Sequence, residues 1–296
     1  MNVYVVGILL VAGVLGSLDA QVEGVEEVYK EIDGRDLKLY VVSPPDHALG
    51  RAVPALVYFH GGGWTGGAPS AFNEQALYLA SRGMVCILVE YRLLGKTLEP
   101  PLKCLQDARS AVRWVRSNAS VLGVDPNRIA VAGDSAGGHL AACLGLELGP
   151  DDPDDDQAIS TRPNAMILYN PVVDNGPNGY GFRRMGDEYK KLSPLHNVRA
   201  GAPPTILFIG TADKIIPVST IMEFQRLMKE AGAKCDAFIY EGLPHSVYHR
   251  RYAGEKGFHQ CLTETDRFLG ELGWISGEPT LSESGHGSSP LQSHGK

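Results

Sequence analysis

The sequence predicts an α/β fold, with a mostly parallel central sheet and helices on both of its faces. Short apolar segments alternate with amphipathic ones from residue 53 to residue 272, which is the pattern of strands and crossover helices. The apolar segments are nearly continuous rather than alternating, as expected for strands that are buried on both faces. With 296 residues, of which 44% are hydrophobic, the chain can build one large core.

The amino-terminal half supplies the first strands of this sheet. Two strands are predicted over residues 25–32 and 36–42, joined by the hairpin signal Asp33-Gly34. A buried strand follows over residues 53–59. A helix over residues 73–82 and a second buried strand over residues 84–89 come next.

The carboxy-terminal half continues the alternation. Residues 100–123 have apolar positions at helical spacing, and residues 174–203 are irregular and are expected to cover the functional site as an insertion. The remaining predicted strands span residues 128–132, 165–169, 205–209 and 235–240, and the remaining predicted helices span residues 138–146, 220–231 and 254–272.

The two ends of the chain fall outside the folded domain, which we expect over residues 21–276. Residues 1–16 are apolar and Ala20 ends the stretch, so residues 1–20 resemble a secretory signal peptide, although they contain no Lys or Arg. The protein is therefore expected to be secreted or periplasmic, without stable membrane insertion; an uncleaved N-terminal anchor is the alternative. Residues 277–296 contain few apolar residues and are expected to be disordered.

Composition excludes several classes of function. The net charge is −7 and the basic residues are scattered, which argues against nucleic-acid binding. No metal site and no cofactor motif stand out. An acidic run over residues 150–157 is expected to be a solvated loop, with a calcium site as the alternative. The five cysteines show no C-x-x-C spacing, and the sequence identifies no pair for the one disulfide that an exported protein could form.

One pentapeptide carries a nucleophile signature. Gly133-Asp134-Ser135-Ala136-Gly137 lies between a predicted strand and a predicted helix, in the pattern G-x-S-x-G. A sharp strand-to-helix turn holds such a serine in a strained conformation at a helix N-terminus, where the amides favour negative charge. The alternative is a glycine-rich turn with an incidental serine.

A second motif supplies hydrogen-bond donors. His60-Gly61-Gly62-Gly63-Trp64 follows directly on the buried strand over residues 53–59. Consecutive glycines leave their amides free to point at a ligand, which suits the stabilisation of a developing oxyanion. A flexible loop is the alternative, and the buried strand before it argues against that interpretation.

A serine nucleophile needs a base and a group that orients the base. Reactive residues in an open parallel sheet gather at the carboxyl ends of the strands. Asp213 and His245 follow two of the later predicted strands, and the order serine, aspartate, histidine suits a hydrolase triad. The rival candidates fall in or near the last helix or in the irregular segment: His249, His259, Asp174 and Asp187.

These motifs together resemble those of the α/β-hydrolase esterases, on the hormone-sensitive-lipase and carboxylesterase side of that superfamily. The resemblance extends from about residue 25 to residue 272, and four segments carry it: residues 60–64, 133–141, 213–217 and 242–245. It implies an α/β-hydrolase fold over residues 21–276. The long helical N-terminal cap of hormone-sensitive-lipase relatives is not expected, because the residues before the strand at 53–59 are predicted to form strands.

The resemblance also implies a role for each site residue. Ser135 would attack the ester carbonyl, His245 would carry the proton, and Asp213 would hold His245 in the required tautomer. Further roles follow for the groups around them: an oxyanion hole from the amides of Gly62, Gly63 and Ala136, substrate contact or ordinary packing for Trp64, a scaffold role for His60, and support of the oxyanion loop by Glu90.

The compact domain is more similar to bacterial carbohydrate esterases of the acetylxylan and feruloyl type. The expected substrate is therefore a small ester or an acylated carbohydrate, with an acetyl or feruloyl group on plant carbohydrate. The alternatives are a lipase or general carboxylesterase, a small amidase or peptidase on the same fold, and a binding protein without catalysis. The last class usually lacks a nucleophile or a base, whereas this sequence has a candidate for each.

Overall fold

The structure is a computed structural model, and it describes residues 21–47, 52–281 and 291–292. Nine strands within these residues form one sheet. They are β1 (Val25–Ile32), β2 (Arg35–Val42), β3 (Val53–Phe59), β4 (Val85–Val89), β5 (Val124–Asp134), β6 (Ala165–Tyr169), β7 (Thr205–Gly210), β8 (Cys235–Tyr240) and β9 (Leu291–Gln292).

The spatial order of the strands is β1-β2-β4-β3-β5-β6-β7-β8-β9. The six strands from β4 to β8 in this order are parallel, while β1 and β2 at one edge and β9 at the other run antiparallel to their neighbours. The predicted α/β class with a mostly parallel sheet is confirmed. Because the inner strands are parallel, their carboxyl ends share one edge of the sheet.

Helices cover both faces of the sheet. They are α1 (Asn73–Ser81), α2 (Leu102–Ser117), α3 (Ala119–Leu122), α4 (Ser135–Gly145), α5 (Phe182–Met185), α6 (Val218–Glu230) and α7 (Arg250–Glu271). The apolar sides of α2, α4 and α6 pack on one face, and those of α1 and α7 pack on the other.

Side-chain alternation along each strand supplies both cores. In β3, for example, Val57 belongs to the core under α2 and α4, whereas its neighbours Leu56 and Tyr58 belong to the core under α1 and α7. All seven residues of β3 are buried. The near-continuous apolar runs in the sequence therefore reflect strands that need an apolar residue at every position.

The largest differences from the predicted boundaries are found in three regions. The helix predicted over residues 100–123 divides into α2 and α3, and the strand before Ser135 begins at Val124 rather than residue 128. The last helix begins at Arg250, with a kink at Gly254, where φ is +66°. Glycine tolerates this left-handed φ, so the chain bends there and continues as helix.

Both termini fall largely outside the described residues. The predicted signal over residues 1–20 lies outside them entirely. Of the predicted tail, residues 277–281 and 291–292 are described, and the latter pair forms β9 beside β8. Within the described part of the chain, every helix falls short of the length or the hydropathy that a membrane span requires.

The acidic run over residues 150–157 is tied to the body of the protein by basic side chains. Asp151 pairs with Arg109 and Arg113 at 3.0 and 2.6 Å, and Asp155 pairs with Arg113 at 2.9 Å. Asp152 pairs with Lys30. Three of the five carboxylates of this run are thus paired with cations of the chain itself, whereas Asp154 and Asp156 are exposed to solvent.

All five cysteines are buried and unpaired. Burial raises the pKa of each thiol, to about 12 for Cys104 and Cys235 and further still for Cys86, Cys143 and Cys261. They are therefore small apolar core residues that stay protonated at neutral pH. The disulfide that the sequence left open is not formed.

Candidate active site

Ser135 lies at a sharp turn between β5 and α4. It is the first residue of α4, its φ is +50°, and 6% of its surface is exposed. A serine in the left-handed region is strained, and such strain persists only where the surrounding structure imposes it. Gly137 allows α4 to pack closely against the end of β3, because a Cβ at this position would overlap the carbonyl oxygen of Phe59.

Asp213 and His245 meet at the same edge of the sheet. Asp213 follows β7 and His245 follows β8, and His245 Nδ1 lies 2.7 Å from Asp213 Oδ2. The other carboxylate oxygen, Oδ1, accepts from the amides of Ile215 and Ile216 at 2.8 and 2.9 Å. Burial raises the pKa of Asp213, but the bonds from His245 and the two amides outweigh it and lower that pKa below its ordinary value.

The segment after β6 connects this pair to the serine. The amide of Val172 donates to the carbonyl oxygen of Ser135 at 3.1 Å. Two residues earlier, Nδ2 of Asn170 lies 3.4 Å from His245 Nε2. The structure thus brings the three predicted residues Ser135, Asp213 and His245 to one edge of the sheet, and adds Asn170, which the sequence analysis did not single out.

The rival candidates have other partners. His249 caps α7 by accepting from the amide of Arg251 at 3.1 Å, and His259 lies within α7 beside Glu255. Asp174 accepts from the amide of Gly176 at 2.7 Å, and Asp187 lies in a 3₁₀ turn of the irregular segment. The contacts of His249, His259 and Asp174 are thus made within their own segments, away from the pair of Asp213 and His245.

The glycine-rich loop after β3 is folded back on itself. The carbonyl of Gly62 accepts from the amides of Thr65 and Gly66, each at 3.1 Å. The amides of Gly62 and Gly63, by contrast, have no acceptor among the described residues. Ala136 is the second residue of α4, where no preceding turn of helix supplies an acceptor. All three amides are therefore available to a ligand.

Asp134 anchors this loop beside the nucleophile. Its Oδ1 accepts from the amide of Gly61 at 2.6 Å. Burial raises the pKa of Asp134 to about 6, against the opposing influence of the Gly61 amide, the nearby His245 and the Tyr248 hydroxyl. The role predicted for Glu90 in supporting the loop is wrong, because the Glu90 carboxylate pairs with Arg35.

His60 supports the loop from below. It is 2% exposed, and its Nδ1 lies 2.8 Å from the carbonyl oxygen of Gly61. Its ring stacks on Tyr91 at 4.4 Å, and the Tyr91 hydroxyl donates to the His60 carbonyl at 2.7 Å. Burial lowers the pKa of His60 to about 4, so the ring is neutral at pH 7. These contacts agree with the scaffold interpretation.

Trp64 lies beneath the cleft rather than along it. Its side chain is completely buried and packs edge-on against His139, with ring centroids 5.2 Å apart. Tyr180 covers it from the irregular segment at 5.7 Å and is itself 37% exposed. The burial of Trp64 corrects the expectation of a substrate contact and favours the packing alternative. Tyr180 is the exposed aromatic at this position.

His139 joins the irregular segment to the helix of the nucleophile. Its Nε2 lies 2.9 Å from the carbonyl oxygen of Leu192. Burial lowers the pKa of His139 to about 4, so the neutral ring donates its Nε2–H to that carbonyl. This contact fixes the segment that carries Tyr180 above the loop of Gly62 and Gly63.

The described residues contain no group of three or more His, Cys, Asp or Glu side chains placed to hold a metal ion. The chemistry that the site supports on its own is nucleophilic. It offers a strained serine at a helix N-terminus, an imidazole oriented by a carboxylate, and unoccupied backbone amides.

Two family sequence models match the chain. The BD-FAE family matches residues 41–179, which include the glycine-rich loop and the G-x-S-x-G turn. The prolyl oligopeptidase family matches residues 162–269, which include Asp213 and His245.

Among solved structures, the chain is similar to esterase 2 of Thermogutta terrifontis. The apo form is 40% identical, superposes with a TM-score of 0.81, and matches over 86% of this chain and 97% of that chain. The same esterase has been solved with propionate bound, with butyrate bound and phosphorylated by paraoxon.

Among curated proteins, the chain is 29% identical over 258 residues to esterase LipQ of Mycobacterium tuberculosis, covering 81% of this chain. It is 27% identical over 256 residues to an acetylxylan esterase of Xylanibacter ruminicola, again covering 81% of this chain. The matches span 60% of LipQ and 48% of the acetylxylan esterase, which is less than two thirds of either relative.

Proposed function

This chain belongs to the serine esterases of the α/β-hydrolase superfamily, and from that premise we propose that it hydrolyses carboxylic esters through Ser135, His245 and Asp213. The observation that carries the proposal is the 2.7 Å contact between His245 Nδ1 and Asp213 Oδ2 at the edge of the sheet where the strained Ser135 lies. It leaves Nε2 of the imidazole to serve as the base.

The reaction proceeds in two halves. Ser135 Oγ attacks the ester carbonyl carbon while His245 Nε2 takes the hydroxyl proton, and the negative charge on the carbonyl oxygen is held by the amides of Gly62, Gly63 and Ala136. The C–O bond to the alcohol then breaks, and His245 returns the proton to the leaving alkoxide. Water repeats the sequence on the acyl-serine, which releases the acid and restores the serine.

Asp213 keeps the imidazole in the tautomer that this cycle needs. The ionised carboxylate accepts a hydrogen bond from Nδ1–H of His245, and its lowered pKa keeps it ionised at neutral pH. It also stabilises the imidazolium that forms once the serine proton has moved. Asp213→Asn is expected to lower kcat by about 10³- to 10⁴-fold, because the amide can favour the wrong tautomer.

The substrate we propose is a short-acyl ester, in particular an acetyl or feruloyl group on plant carbohydrate. The similarity to an acetylxylan esterase supports the carbohydrate part, and the propionate and butyrate complexes of the Thermogutta esterase support the short acyl chain. A general carboxylesterase or lipase is the alternative among esterases, and the similarity to LipQ favours it.

A peptidase or amidase is the second candidate, because the prolyl oligopeptidase model matches the segment that contains Asp213 and His245. Esters and amides use the same nucleophile, so the nature of the leaving group decides between them.

We further propose that residues 1–20 direct export. This proposal rests on their sequence pattern alone, and amino-terminal sequencing of the mature protein would test it.

The test is hydrolysis of p-nitrophenyl esters from acetate to palmitate, with acetylated xylan, methyl ferulate and an aminoacyl-p-nitroanilide in the same series. Ser135→Ala is expected to lose at least about 10⁴-fold in kcat, whereas the exposed control Ser81→Ala keeps wild-type rates. Labelling with paraoxon should add one diethylphosphoryl group to the wild type and none to Ser135→Ala.

The profile across substrates distinguishes the alternatives. A maximum at acetate, with acetate released from xylan, supports the carbohydrate esterase, and a maximum at long chains supports a lipase. Turnover of the anilide alone supports the amidase. Ester hydrolysis that survives Ser135→Ala would overturn the mechanism.

A further inference from the structure

We propose that Asn170 is a positioning residue that sets the orientation and the tautomer of His245. The inference rests on the proposed function, because it assigns His245 the role of base. It is drawn from the hydrogen bonds that Asn170 makes at the carboxyl end of β6, the strand next to the one that carries Ser135.

The side chain of Asn170 is completely buried, and both of its polar atoms have partners. Its Oδ1 accepts from the amides of Ser246 and Val247, at 3.1 and 3.3 Å. An amide N–H can bond the oxygen of the side chain but not its NH₂ group, so these two donors determine which way the carboxamide faces. The NH₂ group is therefore directed at His245.

This orientation determines the proton position on the imidazole. Nδ2 of Asn170 lies 3.4 Å from His245 Nε2, so an unprotonated Nε2 accepts from it. The ring proton then resides on Nδ1, from which it is donated to Asp213 Oδ2 at 2.7 Å. This is the tautomer that can take the proton of Ser135. Since the bond to Nε2 is long, it directs the ring without strongly occupying the lone pair.

Two residues of this arrangement have an energetically unfavourable backbone conformation. Asn170 has a φ of +36° directly before Pro171, and Ser246 has a φ of +65°. Both values lie in the left-handed region, which is unfavourable for residues other than glycine, although asparagine tolerates it best. Strained residues of this kind persist where neighbouring contacts hold them, and here two such residues are joined by a hydrogen bond.

The charged groups around His245 explain why an uncharged donor is useful. The Asp213 carboxylate bonds to its Nδ1, and the Asp134 carboxyl faces it from the end of β5, beside the Tyr248 hydroxyl. Both acids favour the imidazolium. The NH₂ group of Asn170 opposes it, because a protonated Nε2 would face another donor. The carboxamide of Asn170 therefore matches a ring that carries its proton on Nδ1 and leaves Nε2 as an acceptor.

The experiment replaces the amide with an acid of the same shape. In Asn170→Asp, one carboxylate oxygen still accepts from Ser246 and Val247, whereas the other now favours a proton on Nε2. We expect the acidic limb of the pH profile of kcat/KM to move to higher pH by about one unit or more. At a pH below this limb, kcat/KM of the variant should be roughly tenfold lower than that of the wild type, and its KM should stay close to the wild-type value.

The matched control is Asn164→Asp. Asn164 also accepts from a backbone amide, that of Ile129 at 3.1 Å, but it precedes β6 and lies at the opposite end of the strand. The same new charge there should leave the acidic limb in place. A limb of Asn170→Asp that coincides with the wild type would show that Asn170 only anchors the loop, and would overturn the inference.

A second readout does not depend on turnover. The downfield proton resonance of the His245 Nδ1–H, followed by NMR in Ser135→Ala and in Ser135→Ala combined with Asn170→Asp or Asn170→Ala, reports the protonation of the ring directly. Unchanged titration in both double variants would contradict the proposal even if one of them were less stable. Failure of the proposed function would show as ester hydrolysis by Ser135→Ala and would leave this titration unaffected.

Discussion

The amide of Gly61 donates to Oδ1 of Asp134 across 2.6 Å, which joins the glycine-rich loop to the residue that precedes the nucleophile. A Cβ on Gly61 would collide with the same carboxylate, so the contact leaves room for glycine alone. The loop that offers amides to an oxyanion and the turn that presents the serine are thus held as one unit. Pre-organisation of this kind avoids reorganisation when charge develops.

Asp134 should make stability depend on pH in an unusual direction. Burial raises its pKa to about 6, so between about pH 4 and pH 6 this carboxyl group binds more protons in the folded protein than in the unfolded chain. The contribution of Asp134 to the free energy of unfolding therefore falls as the pH rises through this window. Asn keeps an acceptor for Gly61 without a charge, so Asp134→Asn should gain on the order of 2 kcal/mol over the wild type between pH 4 and pH 7.

Denaturant unfolding of both proteins at several pH values checks this prediction. Groups such as Asp213 titrate equally in both, so the difference between the two curves isolates Asp134. If the free energies of unfolding of the two proteins run parallel across pH 4 to 7, the partners of Asp134 compensate for the burial of its charge.

Gly137→Ala should damage the site without altering any polar group. The added methyl would overlap the Phe59 carbonyl oxygen, so α4 must move away from β3 and carry Ser135 with it. We expect kcat to fall by about 10²-fold or more, because displacements near 1 Å at the nucleophile have costs of that order. Gly270→Ala is the control, since its nearest neighbour is 4.0 Å away, and it should keep full activity. Equal activity of the two variants would contradict the packing argument.

Tyr180→Ala should change the acyl preference. The Tyr180 hydroxyl lies 2.9 Å from the position that a Cβ on Gly63 would take, so the side chain forms a wall beside the free Gly63 amide. Removing it should raise the rate on octanoate relative to acetate by roughly tenfold. Tyr180→Phe keeps the ring and should keep the wild-type ratio. A ratio that is unchanged in Tyr180→Ala would mean that the acyl chain lies elsewhere.

Arg113→Gln should destabilise the fold. The Arg113 side chain is 8% exposed and holds both Asp151 and Asp155, which would be left without this partner. A loss of about 3 kcal/mol in the free energy of unfolding is expected. Arg226→Gln removes an exposed arginine with two glutamate partners and should cost less than about 1 kcal/mol. Similar losses for the two variants would contradict this assignment, as would rescue of Arg113→Gln by calcium.

The sheet could be predicted because burial on both faces leaves a continuous apolar run, as in β3 and β6. The positions of Ser135, Asp213 and His245 followed from a topological rule, that polar residues at the carboxyl ends of parallel strands converge. Neither prediction needed contacts between particular side chains.

The supporting contacts could not be predicted in the same way. Asp134 and Gly61 are 73 residues apart, and Asn170 and Ser246 are 76 apart, so only the folded chain reveals that they meet. Asn170 did carry a signal, as a polar residue directly after a buried strand. The burial of Trp64 could not be predicted, because a tryptophan beside a glycine-rich loop is equally compatible with a position in the substrate cleft and with one in the core.

The five buried, unpaired cysteines affect how well the protein refolds after it has been unfolded. Inside the fold each thiol is shielded from air and from its counterparts. Once heat or denaturant opens the core, the five become reactive together, and an odd number of free thiols readily forms mismatched or intermolecular disulfides. Recovery of activity after unfolding should therefore be much more complete with a reductant than without one, although the native enzyme contains no bond for the reductant to break.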